Sequence, residues 1–266
     1  MKLSRLAFAC LSVMTAIVFV LLYGPLLVPI ASSFFVISHG DVQWDAPSAS
    51  SYLLLIHNEG IIEAFLNTLI VGLSATVLAV VLGCLFAIHY CGGKSLGREL
   101  MQLVILLPFL MPPIIIGLSL LIYFRETEIP RSLVTVIIGH TVFVLTLAYR
   151  TIVLRLKSIE VAFIEASYDL GASTLQTFYY IVLPGLKSAL IGSAILCFAL
   201  SFDETLITIL VTGTDNTLPI RLWAMMRLGF TPDINALVTL ILVLTTAMCI
   251  LAVRYLLPKE IIADGA

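Results

Sequence analysis

Three groups of residues in this sequence could do chemistry. The first is Asp203-Glu204, an adjacent acidic pair inside an otherwise apolar run. A carboxylate within a bilayer costs a few kcal/mol at least, about 2.5–3.5 on insertion scales, so it must face water, a cation or a polar partner. On one continuous helix, Ser201, Glu204, Thr208 and Thr212 recur at i, i+3, i+7 and i+11 and form a polar stripe. Asp203 points about 100° away from Glu204. Glu204 is therefore the expected lining residue for a cationic solute, with Ser201 and Thr208 beside it. Asp203 is expected to pair with a polar group on a neighbouring helix or partner chain, or to touch solute itself. The plainer reading makes both carboxylates structural, satisfied by Ser, Thr or Arg neighbours.

The second group is the four histidines at 39, 57, 89 and 140, which do not cluster in sequence. His140, in an apolar run, reads as a packed, hydrogen-bonded histidine rather than a proton relay. The five cysteines include no C-x-x-C pair and suggest neither a disulfide framework nor a zinc site. There is no H-E-x-x-H and no G-x-S-x-G, so an intramembrane enzyme lacks its site. Gly93-Lys94-Ser95 has the ending of a phosphate-binding loop, but Ile88 stands where that motif needs glycine. This chain is not expected to hydrolyse ATP.

The third group is the polar island EASYDLGASTLQTFYYIVLP, from Glu165 to Pro184. Ala162 to Leu170 lacks glycine and proline and can form a short helix. Gly171 suits the left-handed position that would end it. Ser173 and Gln176 make an S-x-x-Q capping box for a second helix. Leu175, Phe178, Tyr179 and Val182 share one face of that helix at i, i+3, i+4 and i+7. Pro184 fits the turn into the next apolar run. Such a segment could also lie flat on the membrane surface.

The elements around these groups are membrane helices. Of 266 residues, 61% are hydrophobic and only 11% charged, whereas soluble domains carry about 25% charge. Six spans are expected, at about 6–31, 64–90, 100–124, 133–149, 186–211 and 234–257, with a cytoplasmic loop at 150–185, all in one domain over 1–266. The apolar part of the first run is too long for a secretory signal, so an uncleaved span is expected. Residues 34–61 read as an external loop with one or two short helices, with Trp44 and Tyr52 at the headgroup level. Pro108, Pro112 and Pro113 in the third run fit either a kinked lipid-facing helix or a broken helix whose freed carbonyls line a path. Residues 213–231 read as an external loop, with Thr231 capping the last helix and Pro232 opening it.

Orientation follows from the basic residues. With the N-terminus inside, the cytoplasmic segments hold Lys2, Arg5, Lys94, Arg98, Arg150, Arg155, Lys157, Lys187, Arg254 and Lys259. The external segments hold Arg125, Arg131, Arg221 and Arg227. Ten against four satisfies the positive-inside rule with both termini in the cytoplasm.

Glu165-Ala166-Ser167, then Gly171, then Ile181 and Leu183-Pro184 resembles, in residues and spacing, the EAA loop of binding-protein-dependent ABC importer permeases. Ser167 stands where the family usually has a second alanine. SFDETLITILVTG and TLPIRLWAMMRLGFTPDINAL resemble the C-terminal third of the spermidine/putrescine-type permeases, although Asp-Glu replaces a common Asp-Asp pair. The resemblance implies an all-α fold with cytoplasmic coupling helices, and a coupling role for Glu165, Ala166, Ser167, Asp169, Gly171, Ala172, Ser173, Leu183 and Pro184. It implies a bacterial inner-membrane protein with a second homologous permease, two copies of an ABC ATPase and an external solute-binding protein as partners, in the lipid bilayer and with no nucleic acid. ATP and Mg would be bound by the ATPase, leaving this chain without a cofactor. The solute implied is a polyamine or related small cation; relatives carrying aminoethylphosphonate, thiamine or iron share the framework.

Overall fold

The computed structural model describes residues 5–38, 41–92, 97–228 and 232–256. Lys2, Gly93-Lys94-Ser95, Thr231 and Lys259 lie outside the described residues, and with them the basic turn and the expected Thr231 cap. The chain divides into two units, residues 1–62 with 222–244 and residues 63–221 with 245–266.

In the first unit, α1 (Arg5–Ser32) is a long apolar helix whose side chains from Phe8 onward are mostly exposed. Pro25 and Pro29 lie inside it. At its end the Ser32 hydroxyl donates to Val28 O at 2.8 Å and Ser33 to Ile30 O at 2.7 Å. The external loop expected next is more ordered than the sequence suggests. It contains an antiparallel hairpin of β1 (Phe35–Ser38) and β2 (Asp41–Pro47), with a register shift between Phe35 and Val36. Aromatic contacts hold it: Phe35 lies 5.1 Å from Trp44, and Phe34 lies 5.5 Å from Tyr52. Tyr52, on α2 (Ser50–His57), also hydrogen-bonds Ser33 at 2.8 Å. Cross-strand aromatic pairing explains a hairpin that proline and serine content obscured.

The second unit is built around α6 (Leu133–Ser158), which contributes to three core clusters among the described residues. Ser132 and Thr135 cap it reciprocally, and the Thr135 hydroxyl also reaches Val211 O at 2.7 Å. The expected fourth span, ending at Tyr149, runs on to Ser158, because Arg150, Arg155 and Lys157 are good helix formers beyond the apolar run. Helix α3 (Glu59–Cys91) packs closely on α6. A Cβ at Gly83 would stand 3.0 Å from the Tyr149 amide nitrogen and 3.2 Å from the Ala148 Cβ, so only glycine permits this approach.

The proline-rich third run is broken. Helix α4 (Arg98–Leu110) and α5 (Pro113–Glu126) meet at 111°. Met111 and Pro112 are extended, at ψ 142° and 137°, because each precedes a proline, which disfavours the helical region. Pro113 then begins α5 where its missing N–H costs nothing. A buried Thr146 hydroxyl ties Ile105 O of α4 to α6.

Three further departures matter. Helix α9 (Leu183–Phe202) is preceded without a turn by α8 (Thr174–Thr177) and a π-helical turn, Phe178–Val182. Pro184 therefore lies within a continuous helix and not in a turn. It cannot donate to the carbonyl of Tyr180, and the wide π turn just before it absorbs the defect. The expected fifth span, 186–211, is also interrupted. Helix α9 stops at Phe202, and α10 (Leu206–Val211) is a separate short helix. The expected external loop after it contains α11 (Leu218–Leu228). Its start is tied to α3, where Leu218 N donates to Thr68 Oγ1 at 2.7 Å and Asn67 Nδ2 to Asn216 O at 3.1 Å.

Among the described residues, four helices are long and apolar enough to cross a membrane, or five if the bent α4–α5 pair is one span. The last helix, α12 (Pro232–Leu256), has a shorter apolar stretch, Asp233–Met248.

Candidate functional site

The segment expected to couple, Val161 to Val182, is a helix–turn–helix. Helix α7 (Val161–Asp169) ends at Leu170, and Gly171 adopts φ +82°. Gly171 N donates to Tyr168 O at 2.9 Å and Ala172 N to Ser167 O at 3.0 Å. This pair of bonds is a Schellman motif, which requires the left-handed residue that glycine supplies. Ser173 then caps α8, accepting from Gln176 N at 3.3 Å while Gln176 Oε1 accepts from Ser173 N at 2.8 Å.

Ser167 has a use that spacing did not reveal. Its hydroxyl is buried, bonds Ile164 O at 2.7 Å and meets the buried hydroxyl of Thr177 at 2.8 Å. The base of the loop is closed by Arg155, whose Nε donates to Gly185 O at 2.8 Å. The rest points outward: Glu165, Ala166, Asp169, Gly171 and Ser173 are exposed, and Leu170 is 89% exposed. Ala172 and Leu183 are half-buried and Pro184 exposed.

The expected four-residue apolar face of the second helix is split by the π turn. Leu175 and Tyr179 remain exposed, while Phe178 and Val182 turn inward to line a cavity of about 550 Å³. Arg98 and Lys157 form the cationic side of that cavity, 4.8 and 5.1 Å from the centre of the Tyr90 ring. A turn of 100° per residue could not have shown this, because one extra residue per turn rotates everything after it.

The acidic pair occupies the break between α9 and α10. Asp203 is exposed and ends α9. Glu204 is half-buried, and its Oε1 accepts from Ile207 N at 3.0 Å, placing a carboxylate at the start of α10. A negative charge there complements the helix dipole. The continuous polar stripe does not exist. Ser201 and Thr208 are fully buried, and each bonds His140: Nδ1 lies 2.7 Å from Ser201 Oγ and Nε2 2.7 Å from Thr208 Oγ1. The span expected to begin at Leu186 starts three residues earlier. Helix α9 begins at Leu183 and has 20 residues, about 30 Å, so the pair follows a full bilayer-length helix. His140 is indeed packed and hydrogen-bonded. That its partners are the supposed lining residues follows only once the helix breaks.

No cluster of three or more His, Cys, Asp or Glu side chains that could hold a metal occurs among the described residues.

Comparison with known proteins agrees with this architecture. The chain is 30% identical over 238 residues to the spermidine/putrescine transport system permease protein PotC of Escherichia coli strain K12, covering 89% of each. It is 32% identical over 232 residues to the putrescine transport system permease protein PotI of the same strain, covering 84% of this chain and 82% of that one. Among solved structures it is similar in fold to a bacterial ABC transporter involved in the import of the acidic polysaccharide alginate. The TM-score is 0.76 at 15% identity, over 97% of this chain and 100% of that one. The MetNI methionine ABC transporter gives 0.62 at 19% identity, over 79% and 97%. Residues 79–258 match the model of one family, and the chain belongs to it: the binding-protein-dependent transport system inner membrane component, a family of multi-pass transport components and not of enzymes.

Proposed function

We propose that this chain is the permease subunit that forms half of a polyamine path in an ATP-driven importer, with Glu165 to Ser173 as its coupling element. The observation that carries the coupling assignment is the Gly171 turn. It is held by its Schellman bonds, yet presents Glu165, Asp169 and Leu170 exposed, with nothing among the described residues covering them. A partly apolar surface of that kind fits a cleft in a second protein. Ala166, Ala172 and Ser173 complete the surface, Ser167 fixes it from inside, and Leu183 and Pro184 join it to α9.

The partners are a second homologous permease, two ATPase subunits, which hold the ATP and Mg, and an external solute-binding protein. Six spans in a single permease domain, with loop 150–185 and both termini in the cytoplasm, place the coupling surface on the ATPase side. The basic-residue distribution supports that orientation. The relatives named for spermidine and putrescine support a polyamine over aminoethylphosphonate, thiamine or iron. Glu204 and Asp203, at the helix break, supply negative charge suited to such a cation.

The test is uptake of labelled putrescine and spermidine by cells without other polyamine import that express the whole system. Concentrative uptake that stops when the ATPase is inactivated is expected. ATPase stimulation by a non-cationic solute, with no polyamine uptake, would overturn the solute assignment.

A further inference from the structure

The break between α9 and α10 is spanned by one side chain. His140 lies in the N-terminal third of α6 and is 1% exposed. Its two ring nitrogens each lie 2.7 Å from a hydroxyl, Ser201 in the last turn of α9 and Thr208 in α10. The bonds therefore join the two helices across Asp203, Glu204 and Thr205, the residues that leave the helical ladder.

The direction of these bonds can be worked out. A threonine hydroxyl has one hydrogen. Thr208 donates it to Glu204 O at 2.8 Å. Toward the imidazole it can then only accept, so Nε2 must carry a proton. The ring is buried between two hydroxyls with no carboxylate against it among the described residues, conditions under which a buried polar group stays neutral. A neutral ring with Nε2–H has a bare Nδ1, which accepts from the Ser201 hydroxyl. The chain of donors thus runs one way, from Ser201 to His140 to Thr208 to the carbonyl of Glu204. The Glu204 carboxylate meanwhile accepts from Ile207 N. Glu204 is consequently held at both its main chain and its side chain.

We infer that His140 is a positioning residue for the acidic break: a neutral imidazole protonated at Nε2, whose one-way hydrogen-bond chain sets where Glu204 stands. The inference rests on the proposed solute path for its functional meaning and on the hydrogen-bond geometry for its chemistry. Glutamine can donate through its amide nitrogen and accept through its oxygen, and so reproduces both bonds. Leucine fills the space and reproduces neither.

Two measurements test it separately. In the assembled transporter labelled with ¹⁵N-histidine, subtraction of the His140→Gln spectrum assigns the His140 ring. A pyrrole-type Nε2 with a pyridine-type Nδ1 is expected, and the opposite tautomer would overturn the bond direction whatever the solute. In uptake assays, His140→Leu should raise the putrescine concentration for half-maximal uptake at least about ten-fold, with His140→Gln within about three-fold of the parent. Equal loss of maximal rate in both variants, with half-saturation unchanged, would show a merely structural histidine and overturn the positioning role. Normal uptake in Glu204→Gln, beside an Nε2–H ring, would instead remove the solute path and leave the tautomer assignment standing.

Discussion

The hydroxyl of Ser167 lies 2.8 Å from that of Thr177, and this buried pair joins α7 to α8 beneath the exposed Gly171 turn. The position usually filled by alanine in the family here carries a polar tie between α7 and α8. Ser167 also donates to Ile164 O, so removing Ser167 leaves the Thr177 hydroxyl buried and unpaired, at about 1–3 kcal/mol, whereas replacing both by apolar groups of similar shape is nearly neutral. Ser167→Ala should therefore loosen the segment, detected as faster proteolysis between 160 and 180 in the detergent-solubilised complex. Ser167→Ala with Thr177→Val should restore most of the resistance. Equal sensitivity of single and double variants would show that the pair contributes nothing.

Gly171 combines φ +82° with open space. A Cβ built there meets nothing within 4 Å in this chain. Valine should cost roughly 1–2 kcal/mol for the left-handed backbone, and asparagine much less, since it visits that region. If the backbone alone matters, Gly171→Asn transports and Gly171→Val does not. If the ATPase closes on this glycine, both lose ATPase association while membrane insertion is intact. Normal uptake in Gly171→Val at normal expression would sink the coupling assignment. Glu165→Ala, which removes only an exposed carboxylate, should reduce uptake less.

Topology can be checked with an impermeant thiol reagent on intact cells after removal of the native cysteines. Asp45→Cys, in the hairpin, and Asp215→Cys, between α10 and α11, should be labelled. Ser173→Cys, at the start of α8, should not be until the membrane is opened. Labelling of the Ser173 position from outside would reverse the orientation.

The two carboxylates at the break differ in surroundings, so their neutral substitutes should differ in effect. Glu204→Gln retains an oxygen for Ile207 N and removes the charge. Strongly lowered uptake of a cationic solute is expected, with the complex assembled and its basal ATPase rate unchanged. Asp203→Asn should act more weakly. Normal uptake in Glu204→Gln with a dead Asp203→Asn would assign the path to the exposed carboxylate.

What the sequence by itself determined here is whatever depends on local chemistry. Composition and run length identified a membrane protein, because a long uncharged apolar run is stable in lipid without any particular tertiary partner. Gly171, Ser173 and Gln176 specified the turn and its cap, because those bonds span only a few residues. Proline placement marked the fault at 108–113, though not the 111° angle, which is a property of the packed pair. Only the tertiary structure decided the rest. That α9 stops at Phe202 turned a supposed polar stripe into a histidine clamp, because Ser201 and Thr208 find His140 across 61 and 68 residues of sequence. The π turn at Phe178–Val182 redistributed an apolar face that perfect periodicity would have kept together. The hairpin closed through Phe35 and Trp44, partners that periodicity in either short strand does not reveal. In each case the deciding contact joins residues that local pattern treats independently, and its energy exists only once the chain has brought them together.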